Sequence, residues 1–206
     1  MRIPYVPNPP PASTDEDKAI IQRIEARRAP RPLQALDLAL LHSPPVADGW
    51  NSFLGAVRTK TGLPDKLREI AICRVAVCNE AWYEWAHHAP LLSAAGMGEE
   101  GLGVVKRDDL KDLEKMVGEV DGKMKKKELE EDGMSEREWA VLLYADEMTR
   151  NVRVTDETFA RLKAVCSHKE VVEVTATVAA YNCVSRFLVA LDVGERNGTG
   201  PEYVAH

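Results

Sequence analysis

The chain has 206 residues, 45% of them apolar and 29% charged, with 33 acidic against 27 basic side chains and a net charge of −6. That size and balance suit one globular domain with extensions and are too apolar for a disordered chain. The basic residues are scattered among acidic ones and no apolar run approaches bilayer-spanning length, so neither a nucleic-acid nor a membrane partner is expected.

Five of the first eleven residues are proline, which predicts an extended arm over residues 1–16 rather than packed structure. The arm has no apolar h-region of a secretory signal. Cys73, Cys78, Cys166 and Cys183 therefore read as free thiols in a cytoplasmic, reducing compartment. A single helical domain is expected over 17–194, followed by a tail over 195–206.

Ser13 and Glu16 form a capping-box pattern ahead of Ile20, Ile21 and Ile24, one apolar helical face. Leu33, Leu36, Leu40 and Leu41 predict a second short helix, stopped by Pro44-Pro45. Trp50, Phe53, Leu54 and Val57 recur at helical spacing and predict a third. The stretch DKLREIAICRVAVC over 65–78 is apolar almost all round after Glu69, so a helix buried on most sides is predicted. It pairs antiparallel with a helix over 81–95, which ends at Gly96.

Residues 106 to 133 are densely charged. They read as a short exposed helix and then an insertion, about 119–133, carrying Lys125-Lys126-Lys127. Helices follow over 135–149 (Trp139, Leu142, Leu143, Met148), 156–165 and about 169–191. No alternating strand pattern competes. The fold class is all-α, a helical bundle.

Chemistry concentrates on the two central helices. Glu84 lies three residues before His87 and four before His88, so a carboxylate and an imidazole share one helix face, the arrangement of an acid–base pair. Glu69 and Arg74 are charges in an otherwise buried helix and need partners. Converging with Glu84 and His88, they make either a reactive site or an ion-pair network that only pins the helices. Pro90 removes a helical donor and leaves the Ala86 carbonyl free, which predicts a kink. There is no C-x-x-C pair, and Glu84-x-x-His87 is a single copy of an element that di-iron sites use twice with further carboxylates; no metal or other cofactor is expected.

The run LPDKLREIAICRVAVCNEAWYEWAHHAPLLSAAGMGEEGL resembles the carboxymuconolactone decarboxylase family, of the AhpD-like superfamily. The matching features are Arg68-Glu69, Tyr83-Glu84-Trp85, His88, Pro90 and Gly96, with Tyr181-Asn182 and Arg186 resembling the C-terminal part of longer members. The resemblance implies an AhpD-like bundle, a homo-oligomer (dimer, trimer or hexamer), and cofactor-free chemistry on a small carboxylated, lactone or aromatic substrate. The cysteine pair of the superfamily's peroxidase branch falls here at Ala81 and Glu84, so peroxide reduction loses its redox couple. On this reading the chain is a carbon–carbon lyase or related isomerase. His88 is the acid–base group with His87 as runner-up, Glu84 orients it, Glu69 supports the relay, Arg74 holds a substrate carboxylate, and Trp82, Tyr83 and Trp85 wall the pocket. A thiol peroxidase using Cys73 or Cys78, and a binding or assembly protein on the same fold, are the alternatives.

Overall fold

The computed structural model describes residues 1–108, 110 and 134–202, with the backbone alone at 119–120 and 123–124. Its elements in chain order are α1 (Asp15–Arg28), α2 (Ala35–Leu40), α3 (Pro44–Thr59), α4 (Asp65–Cys78), α5 (Trp82–Ala94), α6 (Glu99–Lys106), β1 (Glu119–Val120), β2 (Lys123–Met124), α7 (Glu136–Asn151), α8 (Asp156–Val165) and α9 (His168–Leu191). The fold is all-α. The antiparallel β1–β2 pair is the single departure among the described residues. Lys125–Lys127 lie outside the described residues, as does most of the expected insertion.

Helix α4 is the axis of the bundle, as its all-round apolar sequence demands. It packs on α5, α6, α7 and α9, and Leu67 and every residue from Glu69 to Val77 are buried. The turn into α5 is tight: Glu80 takes a left-handed φ of 51°, and the backbone N–H of Ala81 donates to the Ala76 carbonyl at 2.8 Å. Helix α5 then packs along α4 and passes through Pro90 without interruption. At the end of α9, Gly194 has a φ of +77°, and a Cβ there would meet Tyr83 Cδ2 at 2.2 Å. A side chain at that position would displace the Tyr83 ring, so glycine is what lets the α9 terminus close against α5.

Several expectations need correction. The N-terminal arm is extended, but it is docked: the N–H of Arg2 donates to the Leu191 carbonyl at 2.7 Å, and the Gly194 N–H donates to Tyr5 Oη at 2.7 Å. Proline favours extension, yet the arm's other polar groups still find partners. The α1 capping box is built by Thr14 and Asp17, one residue later than predicted. Pro44 and Pro45 begin α3 rather than end α2, because a proline in the first helical turn forfeits a donor that would be unpaired anyway. Phe53, one of the four apolar residues whose spacing predicts α3, is 51% exposed. Finally, α9 is by length and composition apolar enough to cross a membrane, with a mean hydropathy of 1.4, against the expectation that no run qualifies. Part of that apolar surface is core: Val174, Val178, Tyr181, Val184 and Leu188 are buried.

Candidate active site

A cavity of about 660 Å³ opens between α1–α3 on one side and α4, α5 and α9 on the other. Glu69, Glu84 and His88 all line it, as do Tyr83 and His87. Its lining includes the exposed side chains Arg31 and Leu91, so it communicates with solvent.

The carboxylate that holds His88 is Glu69, not Glu84. His88 Nδ1 lies 2.6 Å from Glu69 Oε2, both side chains being buried. A carboxylate can only accept, so Nδ1 carries the proton and donates; in the neutral ring Nε2 is then left as an acceptor. Among the described residues Nε2 has no hydrogen-bond partner. Burial pushes the His88 pKa below its ordinary 6.5, although the hydrogen bond and charge of Glu69 pull the other way, so the ring is neutral at neutral pH. Tyr181 packs edge-on against the imidazole at 5.1 Å and 84°, fixing its plane.

Glu84 shares the helix face of His88 as the spacing predicts, but it turns to α9, where the Ser185 hydroxyl donates to a carboxyl whose two oxygens both lie 3.1 Å away. Among the described residues no cation is paired with it. Burial therefore drives its pKa well above 4.5, only partly offset by Ser185. The intrahelical pairing was wrong because Glu69 approaches His88 from the neighbouring helix with better geometry.

Arg74 is the second correction. It is fully buried and points away from the cavity: Nη2 and Nε donate to Asp146 Oδ1 at 2.6 and 3.0 Å, and Nη1 donates to the carbonyls of Val105 and Arg107 at 2.8 and 2.6 Å. With Arg150 Nε at 2.8 Å from the same carboxylate oxygen, this network ties α4 to α7, and it commits four of the five Arg74 N–H donors away from the cavity. Burial alone would raise the Asp146 pKa, but Arg74 and Arg150 together hold it below the usual carboxylate value.

Trp82 and Trp85 are also outside the cavity wall. Trp82 packs against the main core, and Trp85 Nε1 donates to the Pro201 carbonyl at 3.0 Å. Tyr83 does line the cavity, stacked on His87 at 4.3 Å. His87 gives its Nδ1–H to the Tyr83 carbonyl at 2.7 Å and has no carboxylate partner among the described residues, which separates it from His88.

Neither candidate thiol lines the cavity. Burial, then Glu69 and Glu84, push the Cys73 thiol well above 9.0. Burial also pushes Cys78 up to about 12, its S–H directed to Asp146 at 3.3 Å.

Sequence reading missed Arg58 and Ser185, and it noted Arg68 and Tyr181 only through the resemblance. Arg58, in the last turn of α3, resembles any solvated helix-end arginine, and Ser185 sits in a Val- and Ala-rich helix 101 residues from the acid it serves.

Residues 44–105 match the family model described as "Carboxymuconolactone decarboxylase family". The resemblance holds at family level. The matched segment runs from the first residue of α3 nearly to the end of α6 and contains Arg58, Arg68, Glu69, Glu84 and His88. No curated protein matches the chain. Among solved structures, the debrominase Bmp8, as a cysteine-to-alanine variant in complex with 2,3,4-tribromopyrrole, superposes with a TM-score of 0.65 at 15% identity, covering 94% of this chain and 91% of that one. Apo Bmp8 gives 0.63 at 13% identity, covering 89% of each chain. A protein of unknown function from Agrobacterium tumefaciens, named as a candidate antioxidant defence protein AhpD, gives 0.58 at 18% identity, covering 73% and 90%. At such identities these likenesses show the fold: it is AhpD-like.

Proposed function

We propose that the protein is a cofactor-independent acid–base enzyme of the carboxymuconolactone decarboxylase type. It acts on a small carboxylated, lactone or aromatic substrate through decarboxylation or a related lyase or isomerase step. The observation that carries this reading is the Glu69–His88 pair at 2.6 Å on the wall of a cavity large enough for such a molecule. Glu69 fixes the tautomer and plane of the imidazole, and neutral His88 presents Nε2 as a base near neutral pH. Positive charge that forms on the ring is met by the Glu69 carboxylate, which lowers the barrier to proton uptake. In a decarboxylation the same nitrogen, once protonated, delivers the proton that replaces the departing carbon dioxide.

The peroxidase alternative needs a thiolate beside a proton relay, and burial keeps both Cys73 and Cys78 protonated. The binding-protein alternative fits a closed site better than a cavity open at Arg31 and Leu91. Product formation from a panel of carboxylated lactones and aromatic acids, with chelator present, is the test. His88→Ala should lower kcat/KM by about 10²–10⁴-fold while leaving the fold intact. Turnover that survives His88→Ala and disappears in Cys73→Ser or Cys78→Ser would replace this reading with the thiol one.

A further inference from the structure

The charge of the cavity is opposite to that of the protein. The chain carries a net −6, yet five arginines line the cavity: Arg27, Arg28, Arg31, Arg58 and Arg68. The acids facing them are largely committed. Asp37 accepts from Arg28 at 2.7 and 2.9 Å and from Arg27 at 3.4 Å. Asp65 accepts from Arg68 Nη2 at 2.9 Å, and Glu69 holds His88. Glu84 is buried with only the Ser185 hydroxyl beside it, which disfavours its charged form.

Two donors are left over at the His88 end. Arg58 makes no hydrogen bond or ion pair among the described residues. It shares the cavity lining with His87, His88 and Tyr181, and its charge acts on all three as well as on Arg27. Arg68 has only 13% of its side chain exposed, and its Nε is a buried donor without a hydrogen-bond partner; Glu69 Oε1, at 3.5 Å, lies outside bonding geometry. A buried N–H left without a hydrogen bond carries an unrecovered desolvation cost. A ligand oxygen arriving there relieves that cost and meets the uncompensated charge of Arg58.

We infer that Arg58 and Arg68 form a seat for the carboxylate of a small organic acid, next to the Nε2 of His88. The inference rests on the acid–base reading of the same site and adds which part of the substrate is held. A carboxylate that leaves as carbon dioxide gives up its charge in the transition state, so a cation clamped on it would stabilise the ground state instead. The seat therefore holds a carboxylate that persists through the reaction. The carbon beside it loses its C–H proton to His88 Nε2, the bonding pair stays on the substrate, and the same nitrogen returns the proton. Any carboxyl group that departs is a second one.

Ligand binding tests this without a known substrate. Thermal unfolding of the full chain is followed at constant ionic strength with acetate, benzoate and succinate, each against its neutral amide. At least one carboxylate should raise Tm in a saturable way that its amide does not. Arg58→Gln should weaken that carboxylate's apparent affinity by about tenfold or more, with Arg58→Lys recovering part of it. His88→Ala should keep the binding while losing turnover, which separates this inference from the acid–base reading. Carboxylates that stabilise no better than their amides would overturn the seat, and so would undiminished binding by Arg58→Gln.

Discussion

His88 is held by Glu69, nineteen residues earlier on the neighbouring helix, with 2.6 Å between Nδ1 and Oε2. A contact of that separation depends on α4 and α5 keeping their register, so the packing of α5 on the buried central helix also sets the geometry of the candidate base.

Glu84 makes stability depend on pH. Its folded pKa lies well above the ordinary 4.5 because burial disfavours the charged form. Between those two values the folded chain binds more protons than the unfolded one, so this group's stabilisation is lost as pH rises through the window. Glu84→Gln should therefore raise Tm at neutral pH and flatten that slope relative to wild type. His88, lowered below 6.5, acts oppositely and loses its stabilisation as pH falls, so the difference between wild type and variant isolates Glu84. The Cys73 thiol and the Tyr181 hydroxyl, which also feel this carboxyl, remain neutral throughout the range. Equal Tm–pH profiles would contradict a raised Glu84 pKa.

Arg74 is assigned to the frame rather than to the ligand. Arg74→Ala leaves Asp146 buried beside Arg150 and removes the donor to two backbone carbonyls. Chemical denaturation should show a loss of about 3–5 kcal/mol. Where Arg74→Ala remains folded at low temperature, carboxylate binding in the cavity should be unchanged. Selective loss of ligand binding with normal stability would return Arg74 to the site.

Much of this was legible beforehand, and the failures have one cause. The limits of α4, α7, α8 and α9 followed from apolar periodicity and from Gly and Ser punctuation, and the family motif located Glu69, Glu84 and His88. Periodicity, however, reports which residues share a face and not which neighbour they choose. Glu84 was paired with His88 by intrahelical spacing, whereas Ser185 on α9 takes it and Glu69 on α4 takes His88. Arg74 looked like a ligand-binding charge because its partner, Asp146, lies 72 residues away. Arg58 was invisible for the converse reason: a helix-end arginine carries no mark of the cavity beneath it.

Phe53 offers a test of assembly. Phe53 and Val46, seven residues apart on α3, are 51% and 53% exposed. We propose that a second copy of the chain covers this face, as the family resemblance implies. Light scattering should report a multiple of 22.8 kDa, reduced by Phe53→Ser. A monomer across micromolar concentrations would contradict it.

Whether His88 is a poised base or a strut depends on which ring nitrogen carries the proton, and that can be read directly. Proton–nitrogen NMR correlation of the imidazole nitrogens, assigned with His88→Ala, should find His88 neutral near pH 7. Nδ1 should be protonated and Nε2 should have the shift of an unprotonated nitrogen. In Glu69→Gln the ring should lose that fixed tautomer. A His88 ring protonated at Nε2 near pH 7, as imidazolium or as the opposite tautomer, would contradict the account.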